Sequence, residues 1–362
     1  MIFRTAWQFL IPHFGIGFRK QCSKLVFGEV PTHSIPNFSF LTPNSSKGLA
    51  MNIYFAPLEG LTDSVYRRLH HKYFPGVDRY FTPFFSPTVH RSLTAREERE
   101  LPLAQEHFTV VPQLLTKSAQ DFLFMTRVCR DRGYRQVNLN LGCPSGTVVS
   151  KGKGSGMLRS PEALSRFLEQ ITSSPPLPVS IKTRIGLQNE EEWSPLLEIF
   201  NRYPIAELIV HPRLRADFYQ GPVRMDCFRF GLAESRAPVC YNGNLCAVSQ
   251  IEAFQEEFPQ VGALMLGRGL IGDPGMLAPG GTDPKKLESF YDELLEEYLS
   301  IFGGSRNAMF RLKEHWRYLL CRFQDSEGFG KRLRKTTDLR EYRTLTHEIF
   351  ALPLKKELEP DW

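Results

Sequence analysis

The chain has 362 residues, of which 42% are hydrophobic and 23% charged, and a formal net charge of +6; this describes a soluble globular protein with a full-sized core and room for a second unit. Its apolar stretches break well before the roughly 18 residues that a membrane span requires. Its seven cysteines (22, 129, 143, 227, 240, 246 and 321) form no C-x-x-C and no clustered His/Cys spacing, so neither a disulfide framework nor a zinc site is signalled and a reducing cytoplasm fits best.

Residues 1–50 carry five Lys/Arg and one acid and show no sustained period. They read as an N-terminal extension, disordered or not natively translated, with Met51 resembling a natural start; a transit peptide is the alternative.

From Met51 onward, short β-rich runs alternate with helical patterns. Strands are predicted at 53–56, 79–83, 109–114, 137–141, 179–184, 208–211, 239–242 and 263–267, and helices include 63–72, 119–131, 161–171, 191–200 and 248–258. Eight such units over about 225 residues have the rhythm of a (β/α)8 barrel. A doubly wound sheet is the alternative, but no G-x-G-x-x-G follows the first strand. The barrel is assigned to 51–282.

Nearly every run ends in a polar side chain or a tight turn: Pro57-Leu58-Glu59-Gly60, Gln113, Asn140 to Cys143, Lys182 to Arg184, His211, Asn242-Gly243-Asn244 and Gly267-Arg268. In a barrel these share the C-terminal mouth, where active sites are built. The last two pair glycines with a guanidinium, which suits a phosphate group. Cys143 closes a strand with Pro144 behind it and opens 146–158, whose Gly152-Lys153-Gly154-Ser155-Gly156 reads as a mobile, solvated loop. That placement makes it the leading catalytic residue, with inert packing as the alternative. The loop lacks G-K-[ST], so it is no Walker loop.

The tail, 283–362, is predicted to be a helical unit. Between Arg306 and Arg343 stand 11 Lys/Arg against five Asp/Glu, a local excess that points to a polyanionic partner or to a solvated helix face. The stretch 305–323 places Met309, Leu312, Trp316, Leu319, Leu320 and Phe323 on an apolar stripe, with Arg306, Arg311, Lys313, Arg317 and Arg322 elsewhere. Lys331-Arg332-Leu333-Arg334-Lys335 follows Gly328-Phe329-Gly330 and is expected on a loop.

Ala56-Pro57-Leu58-Glu59-Gly60-Leu61-Thr62-Asp63, Gln113, Asn140-Leu141-Gly142-Cys143-Pro144-Ser145, Lys182-Thr183-Arg184-Ile185-Gly186, His211-Pro212-Arg213, Asn242-Gly243-Asn244 and Gly267-Arg268-Gly269 resemble, in order and spacing, the tRNA-dihydrouridine synthases of bacterial type over about 51–351. The resemblance implies an FMN-binding barrel and a helical tRNA-binding domain. The implied reaction is NADPH-dependent reduction of the C5–C6 double bond of a D-loop uridine, with hydride from reduced FMN N5 to C6 and a proton from Cys143 to C5. An acid must keep its proton at working pH, and an ordinary thiol, with a pKa of about 8.5, already does so.

By the same resemblance Lys182 contacts the flavin N1/O2 edge, Gln113 its pyrimidine edge, and Pro57, Leu58 and Glu59 lie along the ring. His211, Asn242, Gly243, Asn244, Gly267 and Arg268 serve the flavin or its phosphate. Asn140 lies near the uracil or the flavin edge, Arg184 faces substrate or phosphate, and Lys331, Arg332, Arg334 and Lys335 meet tRNA. The loop lysines 151 and 153 are further phosphate contacts. Leu58, Asn244 and Pro212 depart from the usual pattern, Pro212 losing a backbone N–H. A monomer without metal is expected. A flavin dehydrogenase of the dihydroorotate or dihydropyrimidine type and a non-catalytic RNA-binding barrel are the competing readings.

Overall fold

Nine parallel strands form one sheet in the order β3-β2-β1-β9-β8-β7-β6-β5-β4. They are β1 (Asn52–Phe55), β2 (Arg79–Phe81), β3 (Thr109–Val111), β4 (Gln113–Leu114), β5 (Val137–Leu141), β6 (Val179–Gly186), β7 (Leu208–Leu214), β8 (Val239–Tyr241) and β9 (Ala263–Leu266). The computed structural model describes residues 51–87, 93–102 and 108–360, all within one unit, Pro43–Trp362; the expectations for 1–50 lie outside the described residues.

The two end strands of that order are halves of one run. Thr109–Val111 pairs with β2, and Gln113–Leu114 pairs with β5. Pro112 between them has no N–H to give either neighbour, while its carbonyl accepts Asn138 N at 2.8 Å. Eight predicted staves therefore become nine strands, and the chain itself closes the ring as a (β/α)8 barrel. Tyr54, Ala56, Phe81, Val111, Ile209, Cys240, Ala263 and Met265 fill its interior.

The helices are α1 (Ser64–Tyr73), α2 (Ala95–Glu100), α3 (Ala119–Asp131), α4 (Gly146–Val149), α5 (Pro161–Thr172), α6 (Trp193–Phe200), α7 (Met225–Glu234), α8 (Val248–Glu257) and α9 (Arg268–Gly272), then α10 (Pro284–Phe302), α11 (Ser305–Leu319), α12 (Glu327–Lys335) and α13 (Leu339–Phe350). Side-chain caps start several of them: Asp63 accepts Tyr66 N–H, Ser118 accepts Asp121 N–H, and Ser160 accepts Ala163 N–H ahead of Pro161. A larger core lies between the strands and their helices and runs on into α10–α13. Among the described residues no helix is long and apolar enough to cross a membrane.

The helical tail is seated on the barrel by polar contacts as well as apolar ones. Tyr298 of α10 donates to both oxygens of Asp63, at 2.9 and 3.0 Å. His315 of α11 stacks on Tyr66 with ring centroids 4.9 Å apart and donates to Leu61 O at 2.9 Å. The buried Arg322 meets Asp273 at 3.0 Å, so it belongs to the packing and not to a basic surface.

Candidate active site

The strand register stacks polar side chains in rows. Gln113, Asn138 and Ser180 are partners across β4, β5 and β6, and one row nearer the mouth Asn140 is the partner of Lys182. Side chains two residues apart share a face, so both rows point into the barrel. Asn138 Nδ2 donates to Ser180 Oγ at 2.9 Å, Gln113 Nε2 to Asn138 Oδ1 at 2.8 Å, and Asn140 Nδ2 to Gln113 Oε1 at 2.7 Å. Asn140 Oδ1 then accepts Gly142 N at 3.1 Å and Cys143 N at 2.9 Å.

Asn140 lines the cavity, where the sequence places it near uracil or flavin; its oxygen also shapes the turn that presents Cys143, and its amide nitrogen gives one hydrogen to Gln113.

A cavity of about 730 Å³ opens at this end of the barrel. Its wall contains Pro57, Leu58, Glu59, Gln113, Asn140, Cys143, Lys182, Arg184, His211 and Arg268 from among the residues singled out in the sequence. Burial pushes the Cys143 thiol above its ordinary value, against the opposing pull of the Ser145 backbone N–H and of Arg184 and Lys182. The thiol is therefore protonated at neutral pH, the state an acid requires.

The glycine stretch behind Cys143 is not a solvated loop. Gly154–Arg159 is a short helical turn, and Gly154 through Leu158 are buried. Ser155 donates through both N and Oγ to Cys143 O, at 3.2 and 2.8 Å. A Cβ on Gly154, whose φ is +57°, would stand 2.9 Å from Val148 Cγ1 and 3.0 Å from Cys143 Cβ; glycine is needed there for close approach. Lys153 donates to Ser86 Oγ at 2.9 Å, and Lys151 is exposed.

Lys182 lies half-buried in the cavity wall, and its ammonium has no hydrogen bond or ion pair among the described residues. Burial, reinforced by Arg184, lowers its pKa from 10.5 to about 8. Arg184 lines the cavity and is also held by the backbone. Its guanidinium donates to Gly142 O at 2.9 Å, Leu214 O at 2.8 Å and Phe218 O at 2.5 Å. Three carbonyl partners make it a brace between the Cys143 turn and the loop after β7, with the Tyr219 ring at 5.3 Å. His211 is buried, and burial and then the charges of Arg184, Lys182, Arg213 and Arg268 lower its pKa well below the usual value, so it is neutral. Arg213 Nη1 lies 3.1 Å from its Nε2 and donates to it.

Asn242, Gly243, Asn244 and Gly267 stand beside the cavity and not in its wall. Asn242 Nδ2 donates to Met265 O at 2.7 Å, which spends its amide on joining β8 to β9. A Cβ on Gly243 would overlap the Tyr241 hydroxyl. Asn244 Oδ1 accepts both Arg213 Nη1 at 3.1 Å and Arg268 Nη2 at 3.0 Å. A neutral amide thus gathers two guanidinium groups at the ends of β7 and β9 without cancelling their charge.

Several wall residues were not recognised from sequence. Tyr219 and Phe218 come from the loop after β7, and Arg317 and Tyr318 come from α11. The sequence puts Arg317 off the apolar stripe of its helix, but nothing in its spacing places that side at the barrel mouth. The helical tail also grips the loop after β1: Arg311 donates to Gly60 O, beside the His315 contact with Leu61, while Arg96 pairs with Glu59. Lys331, Arg332, Arg334 and Lys335 are exposed, away from the cavity wall, and lie on α12 instead of a loop. Buried Leu333 and half-buried Phe329, one turn apart, hold that helix against the core despite its two glycines.

The family model for dihydrouridine synthase matches residues 54–348. The chain belongs to the dihydrouridine synthase family. It is 29% identical over 314 residues to a probable tRNA-dihydrouridine synthase 1 of Synechocystis sp., covering 82% of this chain and 85% of that one. It is 24% identical to tRNA-dihydrouridine synthase B of Pasteurella multocida over 84% of this chain and 95% of the relative. Among solved structures, a morphinone reductase mutant in complex with tetrahydroNAD aligns with a TM-score of 0.48 and 11% identity, over 66% of this chain and 90% of that one.

The site of this dihydrouridine synthase family member suits a flavin mononucleotide in its donor set. The Lys182 ammonium, unpartnered among the described residues, fits an edge that gathers negative charge. The Gln113 amide keeps one N–H and one lone pair for a pyrimidine edge, and Arg213 and Arg268 supply charge for a phosphate.

Proposed function

We propose that the protein is a tRNA-dihydrouridine synthase that uses FMN and NADPH to reduce the C5–C6 double bond of a D-loop uridine. One observation carries the reading: a protonated thiol, Cys143, and the Lys182 ammonium, unpaired among the described residues, share one cavity at the mouth of a barrel of this family. Bound FMN, reduced by NADPH, supplies the hydride that C6 of the base receives.

The chain's own residues do the rest. Cys143 holds a proton at Sγ and gives it to C5, so that two electrons and two hydrogens are added in all. Lys182 favours negative charge on the cofactor edge it faces. Asn140 and Arg184 hold the Cys143 turn from two sides. The target base must leave its stack, at a cost of a few kcal/mol. The helical unit, 283–362, anchors the RNA for that step through Lys331, Arg332, Arg334 and Lys335, with Arg317 and Tyr318 already at the cavity mouth.

The deciding experiment incubates unmodified tRNA transcripts with protein, FMN and NADPH and weighs the released nucleosides by mass spectrometry. A gain of two hydrogens on a D-loop uridine, placed by reverse-transcription stops, is the expected result. No gain on any tRNA, with reduction of free uracil or orotate instead, would replace this reading with a small-molecule flavin dehydrogenase.

A further inference from the structure

The side-chain amides beneath the cavity form a chain whose direction is fixed at both ends. At the mouth end, Asn140 Oδ1 accepts two backbone N–H groups, those of Gly142 and Cys143. A backbone N–H only donates, so the Asn140 amide cannot be flipped. Its Nδ2 must then face Gln113 Oε1, Gln113 Nε2 must face Asn138 Oδ1, and Asn138 Nδ2 must face Ser180 Oγ. The Ser180 hydroxyl hydrogen is left for Val137 O at 3.2 Å, a backbone carbonyl that only accepts.

Every link runs the same way, and reversing one amide would set two donors or two acceptors against each other. Gln113, Asn138 and Ser180 are fully buried, where an unmatched polar group is costly. Gln113 and Asn140 reach the cavity wall, whereas Asn138 and Ser180 do not.

We infer that Asn138 is a positioning residue. With Ser180 behind it, it locks the Gln113 amide in one orientation and so sets which hydrogen-bonding pattern the cavity offers to a flavin's pyrimidine edge. This rests on the FMN reading above. Asn138 touches no ligand, and its influence passes through Gln113. The sequence pattern held the clue in Val137-Asn138-Leu139-Asn140-Leu141, where two asparagines at period two share a face.

The test compares full-length wild type with Asn138→Leu, Asn138→Asp and Ser180→Ala, measuring FMN affinity by fluorescence titration, the visible spectrum and midpoint potential of the bound flavin, and the urea midpoint. Asn138→Leu removes the acceptor for Gln113, and FMN should bind about tenfold more weakly or worse, the scale of one unmatched buried polar group, with a changed flavin spectrum and potential. Asn138→Asp keeps an acceptor toward Gln113 and can take the Ser180 hydroxyl as donor, so it should retain most of the affinity. Ser180→Ala, the mildest change to the fold, should move affinity and spectrum in the same direction as Asn138→Leu by a smaller amount. If Asn138→Leu and Ser180→Ala lower the urea midpoint but leave flavin affinity, spectrum and potential unchanged, Asn138 only packs the barrel and the inference is wrong. If wild type itself takes up no FMN, the proposed function and this inference both fall.

Discussion

The Asn140 side-chain oxygen lies 2.9 Å from the backbone nitrogen of Cys143, three residues on, and 3.1 Å from that of Gly142. One side chain thereby closes the turn that holds the thiol at the cavity wall. Asn140→Asp keeps this acceptor but sets a second acceptor against Gln113 Oε1. It should leave the Cys143 turn in place while weakening FMN binding about tenfold, the price of a mismatched buried pair. Asn140→Ala frees both N–H groups and should lower dihydrouridine formation as well. Equal losses of flavin affinity in the two variants, with normal product formation once FMN is saturating, would remove the turn from Asn140's duties.

Cys143→Ala should bind FMN and be reduced by NADPH like wild type, yet form dihydrouridine about 10²- to 10⁴-fold more slowly, the usual worth of a positioned acid. The raised thiol pKa gives the pH dependence a sign: the chemical step holds steady through neutrality and slows as pH climbs through that value and the proton is lost. Single-turnover rates with pre-reduced flavin, measured against pH, read this directly. A step that instead quickens as the thiol ionises would assign Cys143 to nucleophilic work.

Lys182 sets function against stability. Its folded pKa lies near 8, below the ordinary 10.5, with burial the main cause. Between those values the unfolded chain binds the extra proton, so this group's contribution to stability rises with pH across that window, and its charged form destabilises the fold at pH 7. Lys182→Met should raise the melting temperature of flavin-free protein by about 1 to 2 °C, the shift expected for about 1 kcal/mol in a folded chain of this length, while abolishing tight FMN binding. A lower melting temperature in calorimetry would mean that the ammonium is satisfied in the native fold.

What the sequence made legible follows from which signals are local. Strand runs, helical stretches and the clustering of Gln113, Asn140, Cys143, Lys182 and His211 at one barrel end depend on period and topology. The split of the third stave was written in Pro112, but its effect depends on which neighbour each half pairs with. Glycines misled twice. Gly154 and Gly156 are there because the chain passes too close to Cys143 and Val149 for a Cβ, and Gly328 and Gly330 sit in a helix held by Leu333. The bracing by Arg184 was not legible because its partners, Leu214 O and Phe218 O, lie 30 and 34 residues away in sequence.

His315 and Arg311 join α11 to the loop after β1, whose Pro57, Leu58 and Glu59 line the cavity. Burial, set against the hydrogen bond to Leu61 O, lowers the His315 pKa to about 4, so the ring is neutral and donates from Nε2 at any physiological pH. His315→Leu leaves Leu61 O without that donor, at a cost of about 1 to 3 kcal/mol. It should lower stability and weaken FMN binding together, and loss of stability with unchanged flavin affinity would show that the latch does not reach the cofactor loop.

On the proposed function the basic helix α12 neutralises RNA phosphates, and its four cations are not equal. Arg332 already pairs with Glu348 at 3.2 Å, so it releases fewer counterions than Lys331, Arg334 and Lys335, which are exposed and make no ion pair among the described residues. Replacing all four with Gln should weaken tRNA binding and reduce the slope of log affinity against log salt by about 2 to 3, close to the value for three neutralised phosphates. Arg332→Gln alone should barely change that slope. NADPH oxidation should be untouched, because α12 lies away from the cavity wall. Filter binding of one tRNA across a salt series checks the prediction, and an unchanged slope in the fourfold variant would move the RNA surface to α11, where Arg317 and Tyr318 stand at the mouth and exposed Phe310 and Arg306 lie further along the same helix.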